Sequence, residues 1–146
     1  MKHSDTSNQL RISINDIVDT DNIVEFQTKH LSPSDIKHCS PEFFCPIGLR
    51  FAIKRKQVIV AHENDQIVAM ARFYITKRYG HASLYQFAIA NRFRGNGLLL
   101  KMLDIINTSK IVYKCLLESS LNEYFLKTKW TLSSQDNSFK YWVIKK

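Results

Sequence analysis

The sequence predicts one mixed α/β domain, a sheet with helices on its faces, and three observations predict it. Hydrophobic periodicity changes along the chain, from weak helical stripes at the front to alternation in the middle, then to strands that take turns with helices. The length, 146 residues with 45% of them apolar, is one domain's worth and buries a core without disulfide or metal staples. Neither repeats nor linker-like stretches divide it, so residues 10–146 are expected to form one unit behind a loose tail, 1–9.

Taken in order, Arg11-Ile12-Ser13-Ile14 alternates and makes a first strand. Asn22 followed by Glu25 resembles a helix start, and Ile23, Val24, Phe26 and Leu31 give a helical stripe to about His30. Ser32-Pro33-Ser34-Asp35 and Ser40-Pro41-Glu42 are two further starts, each with proline just inside. Val58-Ile59-Val60-Ala61 is a strand and Glu63-Asn64-Asp65-Gln66 a polar turn. A longer strand follows over 67–76, with Ala69, Ala71, Phe73 and Ile75 on one face. The chain turns again over 77–82, and 84–90 is an aromatic, branched strand. Leu99, Met102, Leu103 and Ile106 then recur at helical spacing. Residues 111–117 form a strand. Ser120-Leu121-Asn122-Glu123 reads as a capping box opening a helix to about Lys129, and 139–144 alternates as a last strand.

Composition excludes several classes. Aromatics at 12% and charges at 23% exclude disorder, and four glycines with three prolines exclude a collagen-like chain. No apolar run approaches the ~20 residues of a membrane span, and 1–9 lacks a signal peptide's apolar stretch; a soluble, cytoplasmic protein is expected. Three cysteines, none in C-x-x-C, suit a reducing compartment. Cys39 and Cys45, with His30 and His38, lack the paired knuckles of a zinc site, and no metal is expected. Residues 1–50 hold five Lys/Arg against seven Asp/Glu, whereas 51–146 hold sixteen against six. That basic stretch suits an anionic ligand, either a phosphorylated cofactor or a nucleic acid.

The strand at 84–90 runs through Asn91-Arg92-Phe93-Arg94-Gly95-Asn96-Gly97 straight into a helix. Such a loop leaves its backbone N–H groups open, and the helix end adds unpaired N–H groups and a positive dipole. Together they form a pyrophosphate pocket, with Arg94 and Arg92 adding charge. A Cβ at either glycine would hold phosphate oxygens off the backbone. A tight strand-to-helix turn accounts for the same letters. The dinucleotide fingerprint fails, because Leu100 stands at its last glycine, and the chain has no G-K-[ST].

Here the sequence resembles the GNAT family, the Gcn5-related N-acetyltransferases, whose acetyl-CoA signature is [Q/R]-x-x-G-x-[G/A] after a strand and an aromatic residue. Ile89, Phe93 and then Arg94-Gly95-Asn96-Gly97-Leu98-Leu99 match in register, with Leu99 replacing the final Gly or Ala. Arg92-x-x-Gly95-x-Gly97 also fits the letters but misplaces the strand and the aromatic. Asn122-Glu123-Tyr124-Phe125-Leu126-Lys127-Thr128-Lys129-Trp130 is similar to the family's late helix, N-x-Y-Y-x-K-x-G-[FW], with Lys129 where the family often has Gly. Roughly residues 58–146 follow the family's order of elements. The resemblance implies a GNAT-like, mostly antiparallel sheet with helices on both faces.

It also implies chemistry: an amine attacks the thioester of bound acetyl-CoA directly. Arg94, Gly95, Asn96, Gly97, Leu98 and Leu99 would clamp the pyrophosphate. The pantetheine arm would pair with the backbone at Phe87, Ala88 and Ile89, where an N–H polarises the thioester carbonyl. Glu118 leads the candidate bases, ahead of His81 and Glu63, and a water chain is an alternative. Aligning Trp130 with the family's aromatic puts Phe125 where the usual acid tyrosine stands. Tyr124, the candidate acid, lies about 100° round the helix. Two other readings stay open. One is a catalytically weak or inactive CoA-binding interaction domain, to which Leu99, Phe125 and Lys129 lend weight. The other is nucleic-acid binding, or nucleic acid as acceptor, resting on the basic charge and on runs such as Lys77-Arg78-Tyr79. The expected partners are a CoA thioester and an amine acceptor; no membrane is expected, and a homodimer is left open.

Overall fold

The computed structural model describes residues 9–14, 20–30 and 44–146. Seven strands form one sheet: β1 (Leu10–Ser13), β2 (Val58–Glu63), β3 (Gln66–Thr76), β4 (His81–Ile89), β5 (Lys110–Leu116), β6 (Thr131–Gln135) and β7 (Phe139–Lys145). Their order is β1-β2-β3-β4-β5-β7-β6. Every neighbouring pair is antiparallel except β4 and β5. Helices α1 (Thr20–His30) and α2 (Pro46–Lys54) cover one face, and α3 (Leu98–Leu103) and α4 (Leu121–Lys127) the other. The expected mixed, mostly antiparallel sheet with helices on both faces is what the chain forms. No helix among the described residues is long and apolar enough to cross a bilayer.

Local chemistry explains the elements. Asn64 and Asp65 have φ of 50° and 69°, the left-handed pair that a two-residue hairpin between twisted strands requires. Asp136 closes the β6–β7 hairpin by accepting the N–H groups of Ser138 and Phe139 and the Tyr141 hydroxyl, and these bonds hold its carboxyl below the ordinary range.

Several expectations need correction. Helix α1 begins at Thr20, ahead of Asn22. Helix α2 starts at a third proline, Pro46, behind an extended Cys45, and its Leu49 and Ala52 are buried. The starts at Pro33 and Pro41 lie outside the described residues, as do 1–8 of the tail and the side chains of His38 and Cys39. The strand put at 84–90 begins earlier, at His81. Ser120 caps nothing: its backbone is already helical, and Ser119 Oγ accepts the Leu121 N–H at 3.1 Å instead. Helix α3 stops at Leu103, and Ile106, only 2% exposed, packs from the loop beyond. Ile75 does not join Ala69, Ala71 and Phe73 inside; it is 49% exposed near the far end of β3. Strand β6 was not expected, because Thr-Leu-Ser-Ser-Gln is exposed throughout and shows no apolar alternation.

One aromatic cluster holds the second half together. Phe125 is fully buried, with ring centroids of Tyr113, Trp130, Tyr124 and Trp142 at 4.9, 5.0, 5.2 and 5.7 Å. Asn122 ties this cluster to the backbone. Its Nδ2 donates to the carbonyls of Leu116, Leu117 and Ser119, and its Oδ1 accepts the Trp142 indole N–H at 3.0 Å. Replacing Asn122 with Leu strands the buried indole donor and removes a partner of the carbonyls at the end of β5. It is expected to cost about 2–3 kcal/mol in urea unfolding, more than Trp142→Phe removes through the hydrogen bond alone (~1 kcal/mol) once packing loss is subtracted.

Candidate functional site

Strand β4 pairs with β5 only from Ala82 to Leu84, opposite Ile111 to Tyr113. Pairing with β3 shifts just there: Phe73 faces Leu84, whereas Arg72 faces Gln86, so Tyr85 is an extra residue. A bulge of this kind bends its strand and switches which face each side chain takes. Leu84 packs with the α3/α4 face; Gln86 and Ala88 lie on the α1/α2 face, and Phe87 and Ile89 return to the first. Beyond the bulge β4 holds β3 on one side, β5 holds β7, and the two strands present unpaired edges to each other.

Which backbone groups face that gap follows from the alternation of an antiparallel ladder. The Ala90 N–H bonds the Val68 carbonyl at 2.9 Å, and Ala88 lies opposite Met70, so both turn toward β3. Phe87 and Ile89 therefore turn away, into the gap. Ile89's carbonyl is taken there by Arg94 Nε at 3.0 Å, which leaves its N–H and both backbone groups of Phe87 along the edge.

The strand leads through a single 3-10 turn, Asn91–Phe93, into the glycine loop. Gly95 and Gly97 have φ of 80° and 75°, a region only glycine enters cheaply, and among the described residues nothing beyond the chain neighbours lies within 4 Å of where a Cβ would sit on either. The loop from Arg94 to Gly97 is exposed, and Lys101 is the residue whose N–H reaches the Gly97 carbonyl, at 3.1 Å, so the amides ahead of it project from the helix end. Leu99, the departure from the family signature, is 1% exposed: its side chain enters the core and leaves the loop surface clear.

The two arginines do different things. Arg92 pairs with Glu63 at 2.7 Å and lies over the Phe93 ring, so Glu63 is engaged as an anchor of the turn. Arg94 holds two carbonyls, Ile89's and His30's, the latter at 2.7 Å, and so joins the end of α1 to the edge of β4. Burial, then the charges of Lys29 and Arg94, push the His30 imidazole below its ordinary value.

Of the acid–base candidates, Tyr124 is half-buried and its ring lies 6.4 Å from that of Phe87, on the gap-lining stretch; burial raises its phenol above the ordinary 10.0. Glu118 is exposed in the turn beyond β5, at the end of the sheet where β4 also finishes. His81 starts β4, stacked on Tyr79, at the opposite end from the glycine loop. The structure thus gathers Phe87, Ile89, the loop 94–99 and Tyr124 around one fork and leaves His81 far from it. Sequence reasoning missed the bulge at Tyr85, for which Leu84-Tyr85-Gln86 carries no marker.

Known proteins share the fold. Residues 20–106 match the acetyltransferase (GNAT) family. No protein of curated function matches the sequence. Among solved structures, the PaiA N-acetyltransferase of Thermoplasma acidophilum in complex with coenzyme A is 15% identical, over 94% of this chain and 99% of that one, with a TM-score of 0.73. A GNAT acetyltransferase of Bacillus cereus is 17% identical, over 94% and 98%, with a TM-score of 0.69. The diaminobutyrate acetyltransferase EctA of Paenibacillus lautus, in complex with L-2,4-diaminobutyric acid and coenzyme A, is 15% identical over 95% and 96%, with a TM-score of 0.62. With more than half of its length inside the family match, and with a fork and glycine turn where the signature falls, this chain belongs to the GNAT acetyltransferases.

Proposed function

We propose that the chain transfers an acetyl group from acetyl-CoA to an amine that attacks the thioester directly. The carrying observation is the open edge of β4 running into an exposed glycine turn where, among the described residues, nothing beyond the chain neighbours lies within 4 Å of either absent Cβ. The CoA-bound structures of PaiA and EctA support a CoA thioester as donor. Arg94, Gly95, Asn96, Gly97, Leu98 and Leu99 form the pyrophosphate cradle through backbone N–H groups and the positive helix end. Phe87 and Ile89 offer the pairing edge for the pantetheine arm. Ala88, whose backbone serves β3, contributes only a small side chain. Acetyl-CoA supplies the activated carbonyl, and the Ile89 N–H is the donor placed to polarise it.

Holding two reactants along one edge accounts for much of the acceleration. Tyr124 carries its proton at neutral pH as any phenol does, burial pushing its pKa further up, and so has a proton to give the departing sulfur. Glu118, at the mouth of the fork, draws the proton from the incoming ammonium, directly or through water. Calorimetry with acetyl-CoA followed by thiol release with candidate amines tests the reading. Binding without release from any acceptor would establish the interaction-domain alternative instead.

Gly97→Val, forced into left-handed backbone at a cost of about 1–2 kcal/mol, is expected to weaken acetyl-CoA binding tenfold or more by calorimetry. Gly80→Val, at φ 66° in the β3–β4 turn, loses stability and keeps its affinity. Tyr124→Phe is expected to lower kcat about 100-fold. Wild-type kcat stays level through the range where an ordinary tyrosine ionises and falls only at higher pH, as the buried phenol ionises, a limb absent from the variant. Glu118→Gln lowers kcat/KM at pH 7 more than at pH 10, where more of the amine is already neutral.

A further inference from the structure

On the α1/α2 face of β4 lies a group of polar side chains that the acyl-transfer chemistry above does not use. The bulge turns Gln86 onto this face, where it is 6% exposed and its Oε1 has no partner. Directly across the ladder stands Arg72, half-buried, with Nη1 enclosed and unpaired. Its guanidinium lies over the Tyr85 ring at 4.9 Å, and Nη2 comes within 3.9 Å of where a Cβ would sit on Gly48, in α2. One ladder step along, fully buried Gln27 of α1 gives its Nε2 to the Met70 sulfur at 3.3 Å and leaves Oε1 without a partner. Among the described residues, three enclosed polar atoms along one stretch of this face are left unsatisfied, which is unusual because buried polar groups are nearly always paired.

We infer that this cluster receives the acceptor, and that the acceptor is a small amine carrying a carboxylate; the inference rests on the acyl-transfer reading above. The atoms left over are a guanidinium donor and two amide oxygens. An anion alone would satisfy Arg72 and leave both oxygens bare. A simple amine would satisfy the oxygens and leave the guanidinium bare. A molecule with an amino group and a carboxylate answers all three: the carboxylate takes the N–H fork of the guanidinium that lies over Tyr85, and the amine donates to Gln86 and Gln27. Gln86 directly precedes Phe87, so an amine bound to it stands beside the edge proposed for the thioester.

The test uses the full chain with saturating acetyl-CoA and compares L-amino acids with their carboxamides by thiol release. The expected result is kcat/KM at least tenfold higher for the acids. Arg72→Gln is expected to erase that preference by raising KM for the acids while leaving acetyl-CoA affinity unchanged in calorimetry. Gln86→Glu places a carboxylate against Arg72 from within; it is expected to raise the melting temperature and abolish the preference as well. If Arg72→Gln does not fold, the comparison on the unaltered protein decides. Acetyl-CoA binding with equal or better turnover of carboxamides or simple amines overturns this inference and leaves acyl transfer standing. Failure to bind acetyl-CoA overturns both.

Discussion

Between Arg72–Gln86 and Phe73–Leu84 the pairing of β3 with β4 passes over Tyr85, and that additional residue governs both faces and one edge of the strand. It ends the parallel contact with β5 by bending β4 away, which frees the backbone of Phe87 and Ile89. It also reverses the side-chain alternation, sending Gln86 under α1 and α2 and Phe87 toward α4. A strand without the bulge would keep pairing with β5 and present no edge to a ligand.

A fork in a sheet leaves backbone groups unpaired, and something else must keep the two halves together. The ring cluster around Phe125 does this across the gap, because Phe87 comes from β4, Tyr113 from β5 and Trp142 from β7. Phenylalanine at position 125 suits a site with no room for water or a hydroxyl partner. The polar work at this end falls to Asn122, which satisfies the carbonyls where β5 ends, and to Tyr124, which unlike Phe125 is only half-buried.

Much of the sheet was legible because β2, β3, β4, β5 and β7 carry apolar residues at strand spacing against a helix-covered face. Strand β6 was not, since both of its faces meet solvent and its residues record no burial. Helix α2 was hidden by competing proline signals upstream, and its own N-cap, Cys45, makes no side-chain hydrogen bond that a sequence pattern could reveal. The glycine loop could be read because positive φ is written in the residue type. Glu63 and Arg92 could not be assigned, because ions 29 positions apart give no sign that they pair. Gln86 was passed over for a similar reason: polar residues within a strand normally face water, and only the bulge turns this one inward.

Arg94 adds one more consequence. Unlike Arg92, whose charge Glu63 offsets, it is bonded to two uncharged carbonyls and keeps its full positive field beside the glycine turn. A polyanion diffusing toward the fork is drawn by that field across roughly a Debye length, about 8–10 Å in ordinary buffer, before any amide contact forms. The same side chain clips the last turn of α1 to β4. In the proposed reaction, capture of the donor and placement of the helix above the acceptor thus share a single lever, which added electrolyte weakens from the outside.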